Sequence, residues 1–541
     1  MEPHVRREKR KRLRTGDSVN SGSSTAGNRG DSAITLVLSI EQHTGLESLN
    51  EDKRAFASRT FVRDIVFSNV PIPFQKARTY LWLVILTRAL GPEGFGVWSL
   101  FLVTLSAATT ISTLNCGSSL MRFLSGERAR NEVNRAFTTV LVMVGGAAIL
   151  VAVLFVCVSG PMSAVIFKSS RGRGVVVLLA AALIFDSLFE ELKNLLRARR
   201  LNRAWAYLCL ARLVPETLAV VFVASWLRSV TAAGATYLAM GVCSVAGGIL
   251  FLAVRQGFRI TNPSRKIFSK YALYGLPLLP GVLASTVSLG ADKYLVSYYL
   301  GLKQVGIYSV CFAVSALVFF LTGPINDVLF PELSTLYDRQ RAESFRRRFA
   351  GVQKFVFGFA VGAAAILAAF RHETLRLVAP RNFGSGSATL AILGLQGIFM
   401  AIVLLYVVIL NVRMRVWSST SFWVLSGVAI IAIDIELLPR LGIAGAAISQ
   451  LIVTAAGAFI LIGMHWKLFR ETFEPAWLLQ AGTTFVVVYA VGILWQGDAS
   501  SIAEAFLRIG TGACVLMLCL VATRYVTWSE LREMRHALFS I

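Results

Sequence analysis

The chain has 541 residues, 55% of them hydrophobic and 16% charged, and a mean hydropathy of +0.64. No water-soluble globule of this length could keep so much apolar surface out of water, so the composition excludes a soluble protein and requires an integral membrane protein. The formal net charge of +24 would suggest a nucleic-acid partner in a soluble chain, but here most Lys and Arg stand between apolar runs, where they orient membrane helices.

Residues 1–60 are polar and open with the basic run RREKRKRLR at Arg6 to Arg14. They cannot bury a core and read as a disordered cytoplasmic tail whose charge sets topology, with anionic lipid headgroups as natural neighbours. No apolar core with a cleavage site follows closely, so a cleaved signal peptide is not expected.

Fourteen candidate spans follow. Each is long enough to cross a hydrocarbon layer of roughly 30 Å, and the need to pair every backbone group inside lipid makes them helices. The first six run from Ile65 to Thr87, Gly94 to Leu114, Ala136 to Val158, Val175 to Leu196, Trp205 to Leu227 and Ala232 to Val254. The second six run from Tyr271 to Leu300, Val305 to Asn326, Phe349 to Phe370, Ala388 to Leu410, Val416 to Leu437 and Leu441 to His465. Trp477 to Trp495 and Ile502 to Thr523 form a terminal pair. The expected division is residues 1–60 as the tail, 61–260 as one half, 261–470 as the other, and 471–541 as the terminal pair with a cytoplasmic end.

The two sets echo one another. LGPEGFGVWSL from Leu90 returns as LGLKQVGIYSV from Leu300, so that Gly91, Gly96, Trp98 and Ser99 meet Gly301, Gly306, Tyr308 and Ser309, all 210 positions apart. TAAGATYL from Thr231 answers GIAGAAIS from Gly442 at a shift of 211. An even number of spans per repeat inserts both halves in one orientation, as parallel repeats about an axis normal to the membrane.

Loop charge agrees with a cytoplasmic N-terminus. Arg122, Arg128, Arg130 and Arg135, then Arg197, Arg199, Arg200 and Arg203, then Arg255, Arg259 and Arg265 fall on one side, as do Arg346 to Arg348 later. The opposite connections are poorer, apart from Lys168, Arg171 and Arg173 and from Arg371, Arg376 and Arg381. Both termini are therefore expected in the cytoplasm. The seven cysteines stand singly without ligand spacing, so no metal or other cofactor is expected.

Charges inside spans are expensive and need a partner, a wet cavity or a nearby headgroup layer. Lys354 and Arg508 lie near span ends and can snorkel, with Glu504 four residues before Arg508 as its partner. Arg212 and Glu216 share the same spacing around Pro215 and read as an ion pair within one helix, ahead of a cavity role. In the first span Gln75, Arg78, Thr79 and Trp82 form one polar stripe, extended by Ser68 and Asp64 and loosened by Pro71 and Pro73. Lys76 points about 200° away from Arg78, so Arg78 is the preferred inward cation. At the 210 offset, Gln75, Arg78 and Trp82 map onto Ser285, Ser288 and Asp292, where Pro277 and Pro280 loosen the helix again. The structural alternative is small-residue packing with Asp292 paired to Lys293. Asp186 and Asp292 are the carboxylates able to couple transport to H+ or Na+.

TRALGPEGFGVWSL, SSLMRFLSGE at Ser118 to Glu127, YGLPLLPGVLASTVSLGADKYLVSYYLG at Tyr274 to Gly301, GPINDVLFPELSTLYD at Gly323 to Asp338 and LPRLGIAGAAIS at Leu438 to Ser449 stand in order along the chain. The set resembles the oligosaccharide flippases of bacterial surface-polysaccharide synthesis, in the multidrug/oligosaccharidyl-lipid/polysaccharide exporter superfamily. The resemblance implies an all-α membrane protein with two six-helix lobes around a central cavity and a terminal helix pair. It also implies passage of a polyprenyl-pyrophosphate-linked oligosaccharide from the cytoplasmic to the outer leaflet of the cell (inner) membrane, with polysaccharide assembly proteins as further partners. Arg78, Gln75, Thr79, Trp82, Ser285, Ser288, Asp292, Lys293 and Arg212 would then line the route. A lipid II flippase is a close rival and a multidrug antiporter a second. A polytopic glycan polymerase or ligase would need an outer catalytic constellation, and the outer loops offer only His372 and Glu373. No phosphate-binding glycine loop is present, so ATP hydrolysis is not expected.

Overall fold

The structure is a computed structural model that describes residues 71–525 except 126, 128, 168–171, 289, 415, 496–500 and 524. The basic tail, the start of the first span with Asp64 and Ser68, and the loop cations Arg128, Lys168, Arg171 and Arg415 lie outside the described residues. Among those described the chain is helical with no strand, and twelve helices are long and apolar enough to cross a membrane.

The longest, α1 (Pro71–Ser112), runs through the first two expected spans and turns between them at Gly91, whose φ of 68° and ψ of −179° are outside helical space. A residue without Cβ adopts that conformation at little steric cost. Gly301 repeats it, at φ 85° and ψ 172°. The first half continues through α2 (Cys116–Leu124), α3 (Arg130–Cys157), α4 (Ser159–Val165), α5 (Gly172–Ala198), α6 (Asn202–Leu227) and α7 (Val230–Gln256). Helix α5 is not among the twelve, and Asp186, Glu190, Glu191 and Lys193 stand in its second half. Its 27 residues still reach about 40 Å, and it packs on both α3 and α7.

In the second half, the single span expected over Tyr271 to Leu300 is instead three helices, α8 (Arg265–Gly275), α9 (Leu279–Ser288) and α10 (Ala291–Leu300). Pro277, in a 3-10 turn, and Pro280 each remove a ladder donor, and a second break falls before α10 at Gly290. Then come α11 (Leu302–Ser315), α12 (Thr322–Asp338), α13 (Ala342–Ala369), α14 (Arg371–Val378), α15 (Ser387–Val412), α16 (Val416–Leu441), α17 (Ile443–Met464), α18 (Trp466–Thr472), α19 (Pro475–Leu494) and α20 (Ile502–Ala522).

The second arm of α1 lies against α11, and the contacts between them are reciprocal. A Cβ on Gly96 would strike the Leu302 carbonyl and come within 3.1 Å of the Gly306 nitrogen; one on Gly306 would strike the Pro92 carbonyl and come within 3.2 Å of the Gly96 nitrogen. Residues 92 and 302, like 96 and 306, are 210 apart. Ser99 Oγ donates to Ser309 Oγ at 2.8 Å, again between equivalent positions. A contact in which i meets j and j's counterpart meets i's counterpart is the mark of a local twofold. Within lipid, where apolar side chains gain little from leaving their surroundings, such close backbone approach through small residues is a principal source of helix association.

The terminal pair packs on α13 and α14, with Gly492 against Ala369 and Gly512 against Phe370. Arg508 Nη2 donates to Glu504 at 2.6 Å, the pairing its spacing predicts, and Nη1 donates to Glu373 at 2.9 Å and to the Trp495 carbonyl at 3.0 Å. Glu373, set aside above as an isolated outer-loop carboxylate, is thus the tie between α14 and the last helix. Glu373→Ala is expected to loosen this pair, measured as faster limited proteolysis of the connection between α19 and α20.

Candidate functional site

The first polar cluster forms where α1 crosses α5, α6 and α7. Arg78 Nη1 donates to Glu216 Oε1 at 2.7 Å across 138 residues, and Arg212 Nε donates to Glu216 Oε2 at 2.8 Å within α6. Arg212 Nη2 also donates to Asp186 on α5, whose other oxygen accepts from Tyr237 on α7 at 2.7 Å. Two cations and two carboxylates therefore form one chain in which each carboxylate carries two bonds. Glu216 is fully buried, while the Arg78 side chain keeps 29% of its surface accessible. The guanidinium of Arg78 lies over the Trp82 ring, 4.7 Å from its centroid, and Trp82 meets Trp98 and Tyr237 edge to face. Arg78 Nε and Trp82 Nε1 are both buried and neither has a hydrogen-bond acceptor. Such orphaned donors are uncommon in native proteins and call for an explanation. Arg212 also borders a cleft of about 380 Å³ between α6 and α7.

The ion pair of Arg212 with Glu216 follows the expected spacing. Arg78 was expected as an inward cation without a stated partner, and its partner is that same Glu216. The stripe on α1 is not uniform: Thr79 is exposed and bonded to the Gln75 carbonyl, Gln75 is half-buried, and Trp82 is buried among aromatic rings.

The second cluster sits at the equivalent place in the other half. Asp292, fully buried, accepts from Tyr308, from Gln450 Nε2 at 3.2 Å and from the Lys293 backbone amide at 2.8 Å. The pairing of Asp292 with Tyr308 is the counterpart, at offset 210, of the contact between Trp82 and Trp98. Lys293 turns its ammonium over the Phe312 ring at 5.3 Å. Ser288 donates to the Ala284 and Trp423 carbonyls and joins α9 to α16, and Ser285 bonds back to Val282. These two serines stand outside the cluster in packing positions. Helix α16, which packs on α10, adds Asp434, fully buried and with Ser449 as its hydrogen-bonding neighbour. Asp434, in a mostly apolar run, and Glu191 of α5, which stands among Glu190, Lys193 and its hydrogen-bonding neighbour Asn194, were missed in the sequence.

A third contact joins the two halves at the other end of the first arm of α1. Arg88 donates to the Leu377 carbonyl at 2.9 Å and to the Val378 carbonyl at 3.2 Å, and Thr87 donates to Val378 at 3.3 Å. These are the last carbonyls of α14, the negative end of its dipole.

Comparison with solved structures places the fold. A lipid II flippase MurJ in an inward closed conformation has a TM-score of 0.66 at 13% identity, covering 85% of this chain and 98% of that one. An inward-facing multidrug resistance MATE family transporter of the MOP superfamily has a TM-score of 0.59 at 14% identity, covering 73% and 95%. Its outward-facing counterpart reaches 0.54 at 13% identity, covering 75% and 96%. At such identities the likeness is one of fold. The family model described as "Polysaccharide biosynthesis protein" matches residues 73–337, which hold the first cluster and Asp292, Lys293 and Tyr308 of the second. Twelve helices long and apolar enough to cross a membrane among the described residues make it a multi-pass membrane protein, and its fold is that of these flippase and transporter structures. A search of curated proteins gave no match.

Proposed function

We propose that the protein is a flippase that carries a polyprenyl-pyrophosphate-linked oligosaccharide from the cytoplasmic to the outer leaflet of the inner membrane, for exopolysaccharide, O-antigen or capsule synthesis. Two six-helix halves, residues 61–260 and 261–470, would alternate access about the axis marked by Gly96 and Gly306, with both termini in the cytoplasm and 471–541 as an accessory pair.

The observation that carries this reading is the pair of unpaired donors, Arg78 Nε and Trp82 Nε1, beside a guanidinium that stays partly accessible. A pyrophosphate cannot enter hydrocarbon bare and needs charge-assisted bonds in place of water. Glu216 lets Arg78 provide them at modest cost. Arg212 already holds the other oxygen of Glu216, so Arg78 can turn to a phosphate without leaving a buried carboxylate alone, the outcome that makes broken buried pairs expensive. A potential negative inside would favour outward movement of uncompensated anionic charge by roughly 2.3 kcal/mol per charge per 100 mV. In cells, loss of the protein is expected to leave the lipid-linked intermediate on the cytoplasmic side and chemically intact. Normal surface glycan in its absence would contradict the reading.

A lipid II flippase presents the same phosphate chemistry and is the nearest alternative. A multidrug antiporter shares the fold, but the guanidinium of Arg78 suits an anionic cargo better than a lipophilic cation.

Coupling to H+ or Na+ is assigned to Asp292 with Asp434 rather than to Asp186, which both Arg212 and Tyr237 engage. Asp292→Asn is expected to keep the protein folded while transport loses its dependence on the coupling ion, measured as flux with and without an imposed gradient. The contact of Arg88 with α14 would hold the outer side closed. Arg88→Ala is expected to raise several-fold the rate at which a membrane-impermeant thiol reagent labels a cysteine introduced at Gln75.

A further inference from the structure

The arginines at the cation-rich end of the first half do more than set topology. Arg130 at the start of α3, Arg199 just past the end of α5 and Arg255 in the last turn of α7 line one hollow of about 120 Å³. Its floor includes Leu252 and Phe258, both buried. None of the three arginines has a carboxylate within ion-pair distance among the described residues. Arg199 Nη1 is fixed by the Glu127 carbonyl at 2.9 Å, while the Glu127 carboxylate is turned to the Ala129 amide at 2.9 Å. Asn134 also lines the hollow; it is only 8% accessible, and its side chain makes no hydrogen bond among the described residues.

The positive-inside rule explains how many cations lie on this side. It does not require three of them, from three helices, to converge on a buried amide with no acid between them. Like charges brought together without compensation repel, so the arrangement suits an anion that each guanidinium can grip through two donors. We infer that this hollow is a phosphate site. It takes a phosphomonoester or diphosphate group, presented either by an anionic lipid headgroup of the adjacent leaflet or by a soluble phosphate. Basic pockets between membrane helices on the cytoplasmic side bind lipid phosphates in this way. The inference does not depend on the cargo proposed above, because Arg78 and Glu216 take no part in it.

The test uses the full chain and labels its arginines with phenylglyoxal, read by mass spectrometry. Inorganic pyrophosphate is added to detergent-purified protein in one arm. In the other, vesicles of phosphatidylcholine alone are compared with vesicles that also contain phosphatidic acid. Arg130, Arg199 and Arg255 are expected to become at least about fivefold less reactive, while Arg339, just past α12, and Arg347, near the start of α13, do not change. Protection by pyrophosphate identifies a soluble ligand, and protection by phosphatidic acid alone a lipid headgroup. Protection in neither arm, or equal protection of Arg339 and Arg347, overturns the site. The double variant Arg130→Gln/Arg255→Gln should bind whichever probe protects at least about tenfold more weakly at low ionic strength, where screening is least. Unchanged affinity in that variant would also overturn it. The footprint of the unmodified sequence remains decisive should the variant fail to fold.

Discussion

Arg78→Ala is expected to abolish export while the protein still folds and inserts, and Glu216→Ala to destabilise the protein itself. The two residues share one bond but stand in different surroundings. Glu216 is fully buried and bridges two guanidinium groups; without it, Arg212 keeps only Asp186 and Arg78 loses the carboxylate it is bonded to. Removing one partner of a buried ion pair costs about 3–5 kcal/mol, because an uncompensated charge stays behind. Arg78 is partly accessible, and its removal leaves Glu216 still held by Arg212, so the fold should tolerate its loss. Arg78→Lys should restore export only in part, since an ammonium keeps the charge and loses the planar fork. The measurements are surface-glycan export in cells and thermal unfolding of the purified variants. Full export by Arg78→Ala would remove this residue from the transport route.

Gly306→Ala is expected to be among the most damaging single methyl additions in the chain. The new Cβ would overlap the Pro92 carbonyl, and on Gly96 it would overlap the Leu302 carbonyl. Both obstacles are backbone, so no rotamer change relieves them and the helices must separate. Overpacking of this kind costs about 1–3 kcal/mol, and occasionally more. Because the two substitutions strain one contact, the double variant Gly96→Ala/Gly306→Ala should lose clearly less than the sum of the single losses. Thermal unfolding of the three variants in detergent checks this. Strict additivity would mean that the two glycines do not share an interface.

The fold and the polar clusters were unequally legible in the sequence. Hydropathy alone gave the class, and matching residues 210 apart identified Gly91 with Gly301 and Ser99 with Ser309, which the structure reproduces as paired backbone geometry and a direct hydrogen bond. The bond between Arg212 and Glu216 was legible because i and i+4 share a helix face. The bonds from Arg78 to Glu216 and from Arg212 to Asp186 were not, since they join separate helices and no local spacing encodes them. Asp434 went unread for lack of a polar neighbour at helical spacing. The breaks around α9 were signalled by Pro277 and Pro280, but an apolar run long enough to span outweighed them. Arg88 stood at a span end, where an unremarkable snorkelling cation would also stand, and only the carbonyls of α14 give it a partner.

The most direct measurement reconstitutes the purified protein in vesicles and follows a labelled polyprenyl-pyrophosphate oligosaccharide from one leaflet to the other. The unsubstituted protein should move the label without altering the lipid or the sugar, and Arg78→Ala should reduce the rate to that of empty vesicles. Chemical change of the substrate, or equal rates for the two proteins, would contradict the account.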